Sequence, residues 1–278
     1  VTAQLHPHRA ERVELPGPYG PIAALRTAGD TTILLVPGYT GSKEDFAPLL
    51  DGFADAGFRA VAIDLPGQYE SPGPADEQAY LPAALGKVVA TVAEFLGGGV
   101  ILLGHSYGGL VARGAVLAGA PVAGLTLMDS GPAELPEGPR REALKQGEPL
   151  LRKDGIEAAY SVREAMNERF PSWAQVPAEL KAFYRRRFVS SSPHALLGMA
   201  DGLRNEPDLV DSLAETLAVR TLPSLVVTGE GDDAWSVESQ RDMADRLGAR
   251  FETVPGAAHS PNTENPAGLL DVLISAWR

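Results

Sequence analysis

A chain of 278 residues holds one large domain, or a core domain with a smaller insertion, and its 44% hydrophobic and 22% charged content is that of a globular protein. The formal net charge of −12 argues against nucleic acid or an anionic membrane surface as the main partner. Cysteine is absent, which excludes disulfides, a thiol nucleophile and thiolate metal sites, and makes a cytoplasmic location the expectation.

The first residues carry His, Arg and Glu but no apolar run typical of a signal peptide, and His6 and His8 are expected to lie in a mobile terminus. No apolar stretch is long enough to span a membrane. Residues 12–15 and 22–26 flank Gly17-Pro18-Tyr19-Gly20 and predict an antiparallel hairpin at a sheet edge. Residues 32–36 form a short continuous apolar run, as a strand buried on both faces requires. Pro37-Gly38-Tyr39-Thr40-Gly41 follows, and Ser42 with Asp45 at capping-box spacing predicts a helix to about Ala56. Residues 59–64 are the next strand. The turn from Asp64 to Ser71 is read as structural, and a helix covers residues 78–95.

The run Val100-Ile101-Leu102-Leu103-Gly104-His105-Ser106-Tyr107-Gly108-Gly109 is the centre of the chain. Four apolar residues make a buried strand, a G-x-S-x-G turn follows, and residues 110–117 read as a helix of small residues. Strand, G-x-S-x-G and helix in that order make a nucleophile elbow. Ser106 is expected in a strained backbone with its hydroxyl off the strand end. Gly104 and Gly108 leave room where a Cβ would collide, and the helix aims free N–H groups at the same spot.

Residues 122–128 form another buried strand. From residue 133 to 217 buried strand runs vanish and charged helical segments replace them, at 140–151, 156–170, 178–189, 193–203 and 207–217. This predicts a helical cap inserted in a core made of residues 1–132 and 218–278. Strands resume at 223–228 and 250–254, with helices at 237–247 and 267–277. Strands alternating with helices imply βαβ units, so the predicted fold class is α/β with a mostly parallel central sheet.

On the elbow, the Pro37 to Phe46 loop, the Asp64 to Ser71 turn and the Gly256-Ala257-Ala258-His259 stretch, the sequence resembles the α/β-hydrolase family over nearly its whole length. The resemblance implies Ser106 as nucleophile, His259 as base, and an oxyanion hole made by the backbone N–H groups of Tyr39 and Tyr107. The other histidines, His105 beside the serine and His194 in the cap, are not placed for that role. Three carboxylates are candidates for the orienting acid: Asp232, Asp233 and Asp129. The Gly229-Glu230-Gly231-Asp232 wording and the Ser…Asp…His chain order favour Asp232. Pro37-Gly38 stands where the family often has His-Gly, and Tyr69 where it often has glycine.

The residues thus point to a hydrolase acting on a small molecule with a carbonyl group, without cofactor or metal. Carboxylic ester hydrolysis through an acyl-enzyme is the first expectation. Hydrolysis of a C–C bond in a diketone-like substrate is the second, with thioesterase, amidase and perhydrolase activities open, and a binding protein on the same fold as the non-enzymatic alternative.

Overall fold

Eight segments of this chain share one sheet, as seen in a computed structural model that describes residues 3–278. They are β1 (Glu11–Leu15), β2 (Ile22–Arg26), β3 (Thr31–Val36), β4 (Phe58–Ile63), β5 (Val100–His105), β6 (Val122–Met128), β7 (Ser224–Gly229) and β8 (Arg250–Val254). The order across the sheet is β1-β2-β4-β3-β5-β6-β7-β8, with β2 antiparallel to both neighbours and every later pairing parallel. The inner strands β3 to β6 are buried along nearly their whole length, which is why they read as unbroken apolar runs. The edge strands β1 and β8 keep exposed positions.

Helices cover both faces. They are α1 (Ala47–Asp55), α2 (Pro82–Phe95), α3 (Tyr107–Leu117), α4 (Pro139–Asn167), α5 (Pro171–Ala174), α6 (Ala178–Val189), α7 (Pro193–Asn205), α8 (Val210–Arg220), α9 (Val237–Leu247), α10 (Pro261–Glu264) and α11 (Pro266–Trp277). The alternation of side chains along β3 and β5 divides the core. Ile33, Leu35, Ile101 and Leu103 pack with Phe46, Leu49 and Phe53 at α1 and with Leu269 and Leu273 of α11. Leu34, Val36 and Leu102 face the other way, into the cluster fed by α2, α3, α8 and α9.

The differences from the expected elements have local causes. The helix expected to run from Ser42 opens as a 3-10 turn, Lys43–Phe46, before α1. The one expected at 78–95 is split, because Pro82 holds Leu81 extended at φ −67°, ψ 152°. The segments 140–151 and 156–170 run on as α4, broken only at Gly155 (φ 84°, ψ 178°). The short helices α5 and α10 were not expected. α8 begins at Val210 and sends Val210, Leu213 and Leu217 into the cluster it shares with α3 and α9, so by packing it lies with the sheet-flanking helices. The described start of the chain is tied down at Gln4, which donates to Asp45 Oδ1 at 3.0 Å and accepts from the Tyr184 hydroxyl at 3.0 Å, where a mobile terminus was expected.

The helices between β6 and α8 have a small core of their own, formed by Leu151, Tyr160, Phe188, Leu196 and Leu197. Ion pairs of Arg152 with Glu77 at 2.7 Å and of the buried Arg113 with Glu206 at 2.7 Å fasten this layer to the rest.

Candidate active site

Ser106 stands between β5 and α3 at φ 55°, ψ −119°, a backbone region that an L-residue occupies only when its surroundings impose it. Its N–H donates to the Met128 carbonyl at 2.9 Å, and its own carbonyl accepts from the Ser130 hydroxyl at 2.8 Å. Both sides of the strained residue are therefore pinned to the end of β6. A Cβ on Gly104 would overlap the Gly108 carbonyl, and one on Gly108 would overlap the carbonyls of Val36 and Pro37. Only glycine fits either position, so the G-x-S-x-G pattern has a steric cause here.

The structure brings His259 and Asp232 to this serine. His259 Nε2 is 3.0 Å from Ser106 Oγ, and His259 Nδ1 is 2.8 Å from Asp232 Oδ1. Asp232 also accepts from the Ala234 N–H at 2.9 Å and from Gln240 Nε2 at 2.7 Å. Burial pushes the Asp232 carboxyl up, but the hydrogen bond and charge of His259 and these two donors outweigh it and hold the group below the usual carboxylate range. The loop bearing His259 is fixed by Glu264, which accepts from the Ala258 N–H at 2.6 Å and the Ser260 N–H at 3.3 Å. Gly229 lets that loop cross β7, since a Cβ there would overlap the Ala258 carbonyl.

The other two candidate acids are placed differently. Asp233 points away and pairs with Arg140 at 2.6 Å. Asp129 is buried, and its Oδ1 accepts from the Gly229 N–H at 2.8 Å and the Thr228 hydroxyl at 3.3 Å. Ligand-type atoms of Asp129, Asp232 and His259 lie within 4.8 Å of one another. Such a trio resembles a metal-ligand set. Yet both Asp232 oxygens and His259 Nδ1 are already engaged in hydrogen bonds, so the arrangement fits a shared proton better than a cation. Burial, then the charge of Asp232, raises Asp129 well above the usual range, which favours its neutral form, and its second oxygen has no hydrogen-bond partner.

His105 is neutral as well: burial, then the neighbouring His259, lowers it to about 4. Its Nε2–H donates to the His259 carbonyl at 2.8 Å. It thus steadies the histidine loop from below and does not contact the serine hydroxyl.

Tyr39 and Tyr107 flank Ser106. The Tyr107 N–H opens α3 and has no partner within the helix. Gly38 lies against the serine, where an added Cβ would sit 3.1 Å from Ser106 Cβ. The Gly38 carbonyl accepts from Gln68 Nε2 at 2.8 Å, and Gln68 Oε1 accepts from the Leu65 N–H at 3.0 Å. A trans peptide points its N–H opposite to its C=O, so Gln68 turns the Tyr39 N–H away from the Asp64–Ser71 turn. That turn departs from glycine at Tyr69, which takes φ 40° under the Lys43 ammonium, 4.8 Å from its ring centroid. Gln68 and Gln240 escaped sequence reasoning. Gln240 alone left a trace, as a polar residue in register with Met243, Ala244 and Leu247 on the buried face of α9.

A cavity of about 500 Å³ opens over Ser106 and His259. Its upper wall comes from the inserted helices, among them Leu144, Leu151, Phe188, Leu196 and Leu197. Among the described residues no helix is long and apolar enough to cross a membrane.

A mostly parallel sheet flanked by helices, with a strained serine at the turn from its central strand, is the α/β-hydrolase fold. The model of the alpha/beta hydrolase family matches residues 33–272, and the chain belongs to that family. It is 28% identical over 264 residues to the 2-succinyl-6-hydroxy-2,4-cyclohexadiene-1-carboxylate synthase of Salmonella heidelberg (strain SL476), covering 90% of this chain and 95% of the relative. Among solved structures it resembles a thermophilic esterase from Thermogutta terrifontis, with a TM-score of 0.75, 25% identity and coverage of 96% and 97% of the two chains. The enol-lactonase from Burkholderia xenovorans LB400 shares the fold at a TM-score of 0.77 and 18% identity, over 95% and 99%.

Proposed function

We propose that this protein is a cofactor-independent serine hydrolase that cleaves a carboxylic ester through an acyl-enzyme. The observation that carries the reading is the hydrogen-bonded line Ser106–His259–Asp232, at 3.0 and 2.8 Å. His259 Nε2 takes the Ser106 proton as the oxygen attacks the substrate carbonyl. Asp232 holds the Nδ1–H tautomer and stabilises the imidazolium. The Tyr39 and Tyr107 N–H groups receive the oxyanion, each such donor contributing about 3 kcal/mol to the transition state. The imidazolium then protonates the leaving alcohol, and water repeats the sequence to release the acid. The helices between residues 133 and 209 act as a lid, since they supply the upper wall of the cavity, and the lack of cysteine suits a cytoplasmic enzyme.

A second reading takes up the synthase relatives, whose name is that of an enzyme making a cyclohexadiene carboxylate: the same serine and histidine would then serve a reaction other than ester hydrolysis. Both readings expect Ser106 to be labelled by an active-site fluorophosphonate, and Ser106→Ala to abolish labelling and turnover with little change in thermal stability. A burst of p-nitrophenol from an activated ester, with an acyl adduct on Ser106 by mass spectrometry, selects ester hydrolysis. Folded protein that is not labelled would sink both readings.

A further inference from the structure

Three arginines and two carboxylates line the cavity. Arg140 is paired with Asp233 at 2.6 Å and Arg187 with Asp45 at 2.7 Å. Glu148 is paired with Arg204 at 2.6 Å and Arg152 at 3.0 Å. Both carboxylates of the wall are therefore neutralised. Among the described residues, Arg163 is the cavity-lining arginine with neither an ion pair nor a hydrogen bond. It is held by the aromatic face of Phe188, whose ring centroid lies 5.6 Å from the guanidinium carbon, and this contact leaves its N–H donors free.

Arg163 is exposed to the cavity yet walled by protein. Burial lowers its proton affinity first; the Tyr39 phenol opposes this, and Arg187 and Arg140 add to it. A guanidinium keeps its charge even so. With neither a counter-ion nor a hydrogen-bond partner, this cation keeps its donors open to an anion that enters the cavity. In a chain of net charge −12, such an uncompensated cation over the candidate site is not a general surface property.

We propose that Arg163 anchors a carboxylate carried by the substrate whose carbonyl Ser106 attacks. The proposal rests on the hydrolase reading of the same site and adds the class of substrate: a small ester that bears a free carboxylate. The fork of N–H donors on a guanidinium matches both carboxylate oxygens. A cavity of about 500 Å³ has the size of a small-molecule site. Arg163 lines the same cavity as Tyr39, Ser106 and His259, so one small molecule there can meet both the guanidinium and the serine.

The test compares p-nitrophenyl hydrogen glutarate with its methyl-capped neutral ester, and a second pair that carries the carboxylate on the alcohol side. In the wild type, kcat/KM for the charged member of one pair is expected to exceed that of the neutral member by about tenfold or more, the scale of one charge-assisted hydrogen bond. Arg163→Gln should collapse that ratio towards one, and Arg163→Lys should restore part of it. A measurement without turnover separates this proposal from the hydrolase reading. In the Ser106→Ala background, titration calorimetry with glutarate should show binding weakened about tenfold or more by Arg163→Gln and partly rescued by Arg163→Lys. Glutarate binding that depends on Arg163 while Ser106 resists fluorophosphonate would keep the anchor and discard the hydrolase. Equal ratios for Arg163→Gln and wild type in both ester pairs, or glutarate binding indifferent to Arg163, would overturn the anchor whatever the serine does.

Discussion

Ser106 and Asp129 are both non-glycine residues held at positive φ, 55° and 46°, at the ends of adjacent strands. The strain is set where the chain turns off β5 and β6; Ser106 meets His259 Nε2, and the Asp129 carboxyl lies near the Asp232–His259 pair. Because Asp232 alone of the three acids bonds His259, Asp232→Asn is expected to lower kcat by about 10³–10⁴-fold, while Asp233→Asn stays near wild type in the same assay. Asp129→Asn is expected to retain most activity, since an amide reproduces a neutral acid, with one acceptor for Gly229 and one donor for Asp232. The same protonation has a sign in stability. Above pH 3.8 the unfolded Asp129 loses its proton while the folded one keeps it, so this group costs stability as pH rises towards its raised folded value. Asp129→Asn removes that cost, and its Tm relative to wild type should climb as pH rises above 3.8. A pH-independent difference would mean that Asp129 is ionised in the fold. His105 acts in the opposite direction: lowered from 6.5 to about 4, it stays neutral while the unfolded histidine takes up a proton, so it costs stability as pH falls through that window. His105→Gln, which keeps a donor for the His259 carbonyl, should flatten the acid limb of a Tm–pH curve. Ser106, His259 and Asp232 were legible in the sequence because motif wording and chain order mark them. The proton on Asp129 was not, because it depends on two strands bringing two acids together.

At the scale of elements, the Asp64–Ser71 turn acts as a template for the loop that follows β3. The sequence suggested only a structural turn, since nothing in the order of residues says that Gln68 meets Gly38, 30 positions earlier. Gln68→Leu keeps the volume and removes the donor, so the Gly38 peptide is expected to rock. The drop in kcat should be about tenfold, smaller than the 10²–10³ typical of deleting an oxyanion donor outright, with KM less affected. α4 offers a second test. At φ 84°, ψ 178°, Gly155 occupies a region closed to side chains, although a Cβ there would touch nothing. Gly155→Ala therefore isolates conformational strain, at about 1–3 kcal/mol, and should show as early local exchange of α4 amide hydrogens rather than loss of the sheet. The glycine was visible as the gap between two expected helices, but the near-continuous path of α4 across it was not.

On the scale of the whole molecule, the sheet was the most legible part, because strands buried on both faces have no freedom but to be continuously apolar. The inserted layer was legible as helices and not as an arrangement, since a half-polar helix fits many grooves and tertiary packing selects among them. Replacing residues 138–190 with a short Gly/Ser linker is expected to leave Ser106 reactive to fluorophosphonate and to erase discrimination among esters, as read on a chain-length panel. A linker variant with wild-type selectivity would show that the choice of substrate is made by the sheet ends alone. The ties of α4 to its neighbours fall on one side of the break at Gly155, and the cavity runs along both. Glu148 and Arg152, which tie the helix to Arg204 and Glu77, precede it together with the wall residues Leu144 and Leu151, whereas Ala159, Arg163 and Met166, which follow it, line the cavity without making such a tie. For a protein engineer, residues 156–170 are consequently an exchangeable cassette: a combinatorial library confined to them leaves the clasp and the strand ends untouched, so that selection explores appetite without rewriting the chemistry.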